Sequence, residues 1–227
     1  MSMPFYVAPE QMMKDRADYA RKGIARGRAL VALRHVDGIV IVAENASETL
    51  RKVSEIYDRI AFAGVGKYNE FDQLRVAGIR AADLKGFQYS RDDVDARSLA
   101  NSYAQMLGNI FTHEMKPMEV ELLVAEVGHE SRGDQMFHVL YDGTVVDERD
   151  YAASGGDAEA SRGRIAEQWR DGLDLATAIE VGVAVLAGDD REIAAADLEV
   201  AQLSRGNGRR CFARVAADEL SSMLTSS

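Results

Sequence analysis

Ala29-Leu30-Val31-Ala32-Leu33-Arg34 and Ile39-Val40-Ile41-Val42-Ala43, joined through His35-Val36-Asp37-Gly38, form the stretch that decides the fold. Two β-rich apolar runs meet across Asp-Gly, a dipeptide that accepts the backbone angles of a tight hairpin turn. Upstream, Pro9 and Glu10 suit a first helical turn, and the segment through Lys22 predicts a helix ending at Gly23. Downstream, a third strand is predicted at Ile56 to Ala63. Phe71, Leu74 and Ile79 then mark a helix from Asn69 to Ala82 that Gly86 stops. Ser90 with Asp93 resembles a capping box, and Leu99, Tyr103, Met106, Leu107, Ile110 and Phe111 share one helical face until Lys116-Pro117.

Further along, Val120 to Val127 and Met136 to Val146 are strand regions, the second turning at Asp142-Gly143. One helix starts near Asp157 and pairs Ile165 with Trp169; another runs from Asp174 to Leu186 and ends at Gly188. Leu198 to Leu203 and Cys211 to Val215 form a last hairpin about Gly206-Asn207-Gly208, and a short helix closes the chain. Strands arriving in hairpins imply antiparallel sheets, and two helical pairs can cover two packed sheets. The expectation is an α+β four-layer αββα sandwich.

The chain has 227 residues, 47% hydrophobic and 28% charged, with one Cys, three Pro and a net charge of −10. So apolar a chain can bury enough surface to offset its ordering entropy, and the lone Cys211 excludes a disulfide scaffold, so a reducing compartment is expected. The opening residues lack a signal peptide's basic start and apolar run, and no later run is long enough for a membrane span. Export and membrane insertion are not expected. Residues 1–36 carry +4 and the remainder −14. That basic bias suits a solvated helix face or a protein partner; a nucleic-acid binder would be basic overall or carry a known module.

Motifs for chemistry are mostly missing. His35, His113, His129 and His138 have no metal-ligand spacing, and Cys211 has no second Cys to join. Gly64-Val65-Gly66-Lys67 departs from a phosphate loop because Tyr68 follows the Lys; it reads as a close-packed strand-to-helix turn. No metal or cofactor is expected. Cys211 lies in a strand pattern and reads as a small core residue.

Several segments together carry a resemblance. They are Tyr19-Ala20-Arg21-Lys22-Gly23, Val36-Asp37-Gly38-Ile39-Val40-Ile41-Val42-Ala43-Glu44, Lys52-Val53-Ser54-Glu55-Ile56-Tyr57-Asp58, Ala63-Gly64-Val65-Gly66-Lys67-Tyr68-Asn69-Glu70-Phe71 and Lys116-Pro117-Met118-Glu119-Val120. Tyr141-Asp142-Gly143-Thr144 and Gly155-Gly156 agree as well. Over nearly its whole length the chain resembles α-type subunits of the proteasome core, the actinobacterial kind most of all. The resemblance implies the N-terminal-nucleophile hydrolase sandwich, a non-catalytic role in heptameric outer rings that template β rings, and a cytoplasmic location. It also implies degradation of proteins tagged with the prokaryotic ubiquitin-like modifier.

β-type subunits of that family attack with a Thr at a free N-terminus, whose own amine assists as base. Here the corresponding strand begins near Arg28-Ala29-Leu30, and the first Thr in the chain is Thr49. No catalytic residue is therefore expected. By resemblance, Lys52 lines a pocket between neighbouring α subunits and takes the C-terminal carboxylate of a ring-shaped ATPase activator; an ordinary exposed lysine is the alternative. Gly66 lies on the same pocket wall, where a missing side chain would admit the tail. Met1-Ser2-Met3-Pro4-Phe5-Tyr6-Val7-Ala8 resembles the gating tail that closes the axial pore, ahead of one domain over residues 9–227. Expected partners are a β subunit, neighbouring α subunits, the ATPase and protein substrates, with neither nucleic acid nor membrane. The rival readings are a catalytically active peptidase or amidohydrolase of the same fold and a dimeric scaffold. Residues 189–210 have no assigned role.

Overall fold

The hairpin about Asp37-Gly38 forms as predicted in the computed structural model, which describes residues 8–189 and 191–225. Strand β1 (Leu30–His35) pairs antiparallel with β2 (Gly38–Glu44), from Leu30 opposite Ala43 to His35 opposite Gly38. Every residue of β2 is buried. A strand covered on both faces needs apolar side chains on both, which is why these runs read as continuous rather than alternating.

The remaining strands are β3 (Val53–Tyr57), β4 (Ile60–Gly66), β5 (Val120–Glu126), β6 (Gln135–Val139), β7 (Val145–Glu148), β8 (Tyr151–Ser154), β9 (Leu198–Ser204) and β10 (Phe212–Arg214). They make two five-stranded antiparallel sheets, ordered β10-β9-β2-β1-β8 and β3-β4-β5-β6-β7. Leu30, Ala32, Ile39 and Ile41 of the first sheet meet Val53, Ala61, Ala63 and Leu123 of the second in a central core. Helices α2 (Tyr68–Gln88) and α3 (Ala96–His113) cover the second sheet through Phe71, Leu74, Tyr103 and Leu107. Helices α4 (Ala158–Gln168) and α5 (Leu175–Ala187), with α6 (Ala217–Thr225), cover the first through Ile165, Ile179, Val185 and Leu220. The four-layer sandwich is the expected one.

Helix α1 (Pro9–Ala25) closes one end of the sandwich by burying Ala20 and Ile24 in the central core. Its Arg16 donates to the carbonyls of Phe111 (2.8 Å) and Glu114 (2.6 Å), oxygens that the end of α3 leaves unpaired. Part of the basic bias near the N-terminus is thus spent within the chain.

Four local expectations need correction. Helix α1 runs through Gly23, and a Cβ there would lie 2.6 Å from the Glu119 side chain, so that glycine permits packing rather than ending the helix. The run from Ile56 to Ala63 is two strands, because Asp58-Arg59 turns the chain. Helix α2 continues past Gly86, whose bare Cα gives room to the Tyr57 hydroxyl. Ser90 caps only a single 3-10 turn, and α3 takes its N-cap from Asp95, which accepts from the Ser98 N–H. Strand β8 escaped notice because four residues are too few to show a period.

Candidate functional site

The groups of interest gather where β1 begins. Lys52 ends the link between β2 and β3, and a buried carboxylate from β9 holds it there. Glu199 accepts from the Lys52 N–H (2.8 Å), the Asn45 side-chain amide (2.8 Å), the Val53 N–H (3.3 Å) and the Arg214 guanidinium (2.5 Å). Thus anchored, Lys52 turns its ammonium to the carbonyl of Arg28, the residue entering β1. Burial pulls its pKa down to about 8; Glu44 and Glu199 oppose the fall and Arg28 adds to it. Lys52 is half-buried at this point.

Glu44, at the end of β2, is buried between two arginines. Arg28 reaches it at 2.5 Å, and Arg191 at 3.2 Å. Gly66 lies at the same end: the Lys52 carbonyl accepts from the Gly64 N–H (3.0 Å), and a Cβ on Gly27 would sit 2.9 Å from the Gly66 nitrogen. Gly66 also has a reason of its own to be glycine. Its φ is +101°, and a Cβ would fall 1.9 Å from the Glu119 carbonyl oxygen. The Gly64-Lys67 turn is close-packed, as read. Lys67 donates its N–H to that same carbonyl (3.0 Å) and its ammonium to the Glu119 carboxylate (3.1 Å).

The residues entering β1, Gly27-Arg28-Ala29 before Leu30, carry no hydroxyl or thiol of their own. On β8, Ser154 donates to Glu121 (2.7 Å), and His138 Nε2 meets the same carboxylate oxygen at 3.1 Å. Serine and histidine share an acceptor instead of bonding to each other, so the Ser–His hydrogen bond of a catalytic triad is not formed here. The cluster continues to Glu148, 3.8 Å from His138 Nδ1 and paired with Arg162. Burial opposes ionisation of Glu148, yet His138 and Arg162 hold its carboxyl down to about 2. For His138, burial favours the neutral ring, but Glu121 and Glu148 outweigh it and raise the pKa above 6.5. Cys211 lies in the central core, its thiol pushed up by burial. Among the described residues no group of three or more His, Cys, Asp or Glu could hold a metal ion, and no helix is long and apolar enough to cross a membrane.

A family model described as proteasome subunit matches residues 24–201. A proteasome subunit alpha of Acidimicrobium ferrooxidans is 62% identical over 99% of this chain and 97% of its own length. Those of Kineococcus radiotolerans and Sanguibacter keddieii are each 56% identical, over 99% and 100% of this chain and 98% and 91% of theirs. The chain belongs to the proteasome subunit family. Within that family it is of the α type, a non-catalytic subunit of the core, consistent with the bare start of β1.

In this proteasome α-type chain, the two residues expected from resemblance, Lys52 and Gly66, lie at one end of the sandwich. Ala8 is exposed and accepts from the Met12 N–H (3.0 Å), while Met1, Ser2, Met3, Pro4, Phe5, Tyr6 and Val7 lie outside the described residues. Sequence reading missed Arg28, Glu44, Arg191, Glu199 and Arg214, the charges that surround Lys52. The only signal for them was that Glu44 and Glu199 interrupt or border apolar strand runs, where a charge costs stability unless paired.

Proposed function

We propose that the chain forms heptameric outer rings that cap and template rings of β subunits, the bearers of threonine-type peptidase activity. Its Lys52 and Gly66 take the C-terminal carboxylate of a ring-shaped ATPase activator, and residues 1–8 gate the axial pore against tagged protein substrates in the cytoplasm. The observation that carries this reading is the Lys52 ammonium: it faces the Arg28 carbonyl where no nucleophile stands for it to tune. A compact cation with one acceptor suits an arriving carboxylate.

The test is co-expression with a β subunit, followed by native mass spectrometry and a fluorogenic-peptide assay. A four-ring particle active only with β is expected. Lys52→Ala should assemble but lose stimulation by the ATPase, and removal of residues 2–8 should raise hydrolysis without it. A small active species from this chain alone would overturn the α-subunit role; full stimulation of Lys52→Ala would overturn the docking role.

A further inference from the structure

We infer that Arg28 is a second cation for the arriving carboxylate, released from Glu44 as the carboxylate binds while Arg191 keeps Glu44 paired. This deepens the docking reading above and rests on it. The two arginines on Glu44 are not equivalent. Arg191 is tied by contacts to both carboxylate oxygens (3.4 and 3.2 Å) and by a third bond to the Leu186 carbonyl (2.8 Å) at the end of α5. The two side chains are equally exposed, 53% and 54%, but the Arg28 guanidinium makes one contact alone, with Glu44 Oε1. One arginine is held in place by the backbone; the other can swing without breaking anything else.

Charge favours the exchange. Around Lys52 the cations Lys52, Arg28, Arg191 and Arg214 stand with the carboxylates of Glu44 and Glu199, and the adjoining cleft adds Arg26 and Arg164 against Asp157 and Asp189. The arrangement carries surplus positive charge that an added carboxylate would balance. When Arg28 leaves, Glu44 is not stranded, so the usual penalty for a buried unpaired charge does not arise. Position favours it too, since the backbone of Arg28 already receives the Lys52 ammonium. Arg28 also lines an open cleft of about 610 Å³ with Arg26, Arg164 and Arg191 and the acids Asp157 and Asp189, room for the last residues of a chain. Lysine supplies a point charge to one oxygen and arginine a planar fork, so together they specify a carboxylate rather than a neutral amide.

The experiment uses the assembled α–β particle and two synthetic peptides with the last eight residues of the ring-shaped ATPase encoded in the same genome. One ends in a free carboxylate and the other in a C-terminal amide; binding is measured by fluorescence polarisation, and assembly is checked by native mass spectrometry. Arg28→Ala should weaken the free-acid peptide by roughly tenfold or more, the loss of one charge-assisted bond, and leave the amide unchanged. Arg28→Lys should recover part of the loss. Arg191→Ala should also weaken the acid, because Glu44 then retains Arg28. If Lys52→Ala loses the acid peptide while Arg28→Ala, or Arg28→Gln should the alanine variant not assemble, binds it as the parent does, the role of Arg28 is refuted and docking at Lys52 stands. If acid and amide bind the parent equally, or Lys52→Ala binds undiminished, the docking reading fails and this inference with it.

Discussion

Replacing Glu199 by alanine removes one side chain and unties four groups. The carboxylate accepts from two backbone N–H groups, at Lys52 and Val53, from Asn45, and from the Arg214 guanidinium. Breaking a buried ion pair by removing one partner costs about 3–5 kcal/mol. The Arg214 side chain is 36% exposed, so water recovers part of its charge and the lower end applies, about 3 kcal/mol. For a chain of this size each kcal/mol moves the midpoint by roughly 2–4 °C, so thermal unfolding should begin roughly 6–12 °C lower. Glu199→Gln keeps a carbonyl acceptor and should lose about 1–2 kcal/mol. The assay is thermal unfolding of the purified chain by intrinsic fluorescence, with amide hydrogen exchange at residues 45–53 as the local readout. Exchange there should quicken first, because the link loses its tie to β9. A midpoint within about 2 °C of the parent, with unchanged exchange, would refute the view that Glu199 positions Lys52.

Gly78→Ala gains about 1 kcal/mol of helix propensity at an exposed site, but here the new Cβ would lie 1.7 Å from the Tyr103 hydroxyl oxygen. So close a contact puts the overpacking cost at its upper end, about 3 kcal/mol, leaving a net loss of about 2 kcal/mol in urea denaturation. Tyr103→Phe should restore part of it, since that buried hydroxyl has no hydrogen-bond partner among the described residues; a neutral Gly78→Ala would show that α2 and α3 pack otherwise. The raised pKa of His138 fixes a sign for pH dependence. A base whose pKa is higher folded than unfolded stabilises fully below its unfolded value of 6.5 and loses that contribution as pH rises through the folded value. The midpoint advantage of the parent over His138→Gln should therefore be largest below pH 6.5 and shrink as pH rises through the raised folded value, and a constant difference would refute the ionic link between His138, Glu121 and Glu148.

Much of the sandwich was legible because its causes are local or periodic. Asp37-Gly38 and Asp142-Gly143 specify turns by their backbone preferences, and the face of Leu99, Tyr103 and Leu107 announces a covering helix. Two of the misread boundaries share one cause. Gly23 and Gly86 look like helix terminators in isolation, yet each sits inside a helix because a side chain from elsewhere, Glu119 or Tyr57, occupies the space a Cβ would take. Asp58-Arg59 turns the chain without a glycine, so a hairpin looked like one strand.

The site divides the same way. Lys52, Gly66 and the lack of a Thr before β1 could be taken from the chain itself, because family motifs and a missing hydroxyl are written in residue identity. What surrounds Lys52 could not. Arg28 and Glu44 are 16 residues apart, Arg191 and Glu44 are 147, and Lys52 and Glu199 are joined across 147 as well. No periodicity links such positions; they meet only because β9 lies beside β2 and the link to β3 passes over its end. The sequence by itself determined the layers, the hairpins and the missing nucleophile, since hydrophobic spacing, turn chemistry and residue type act over a few residues. Only the tertiary structure decided that Lys52 is half-buried, bonded to Arg28 and set beside paired charges, since burial and Coulomb interaction depend on distance in space and not along the chain.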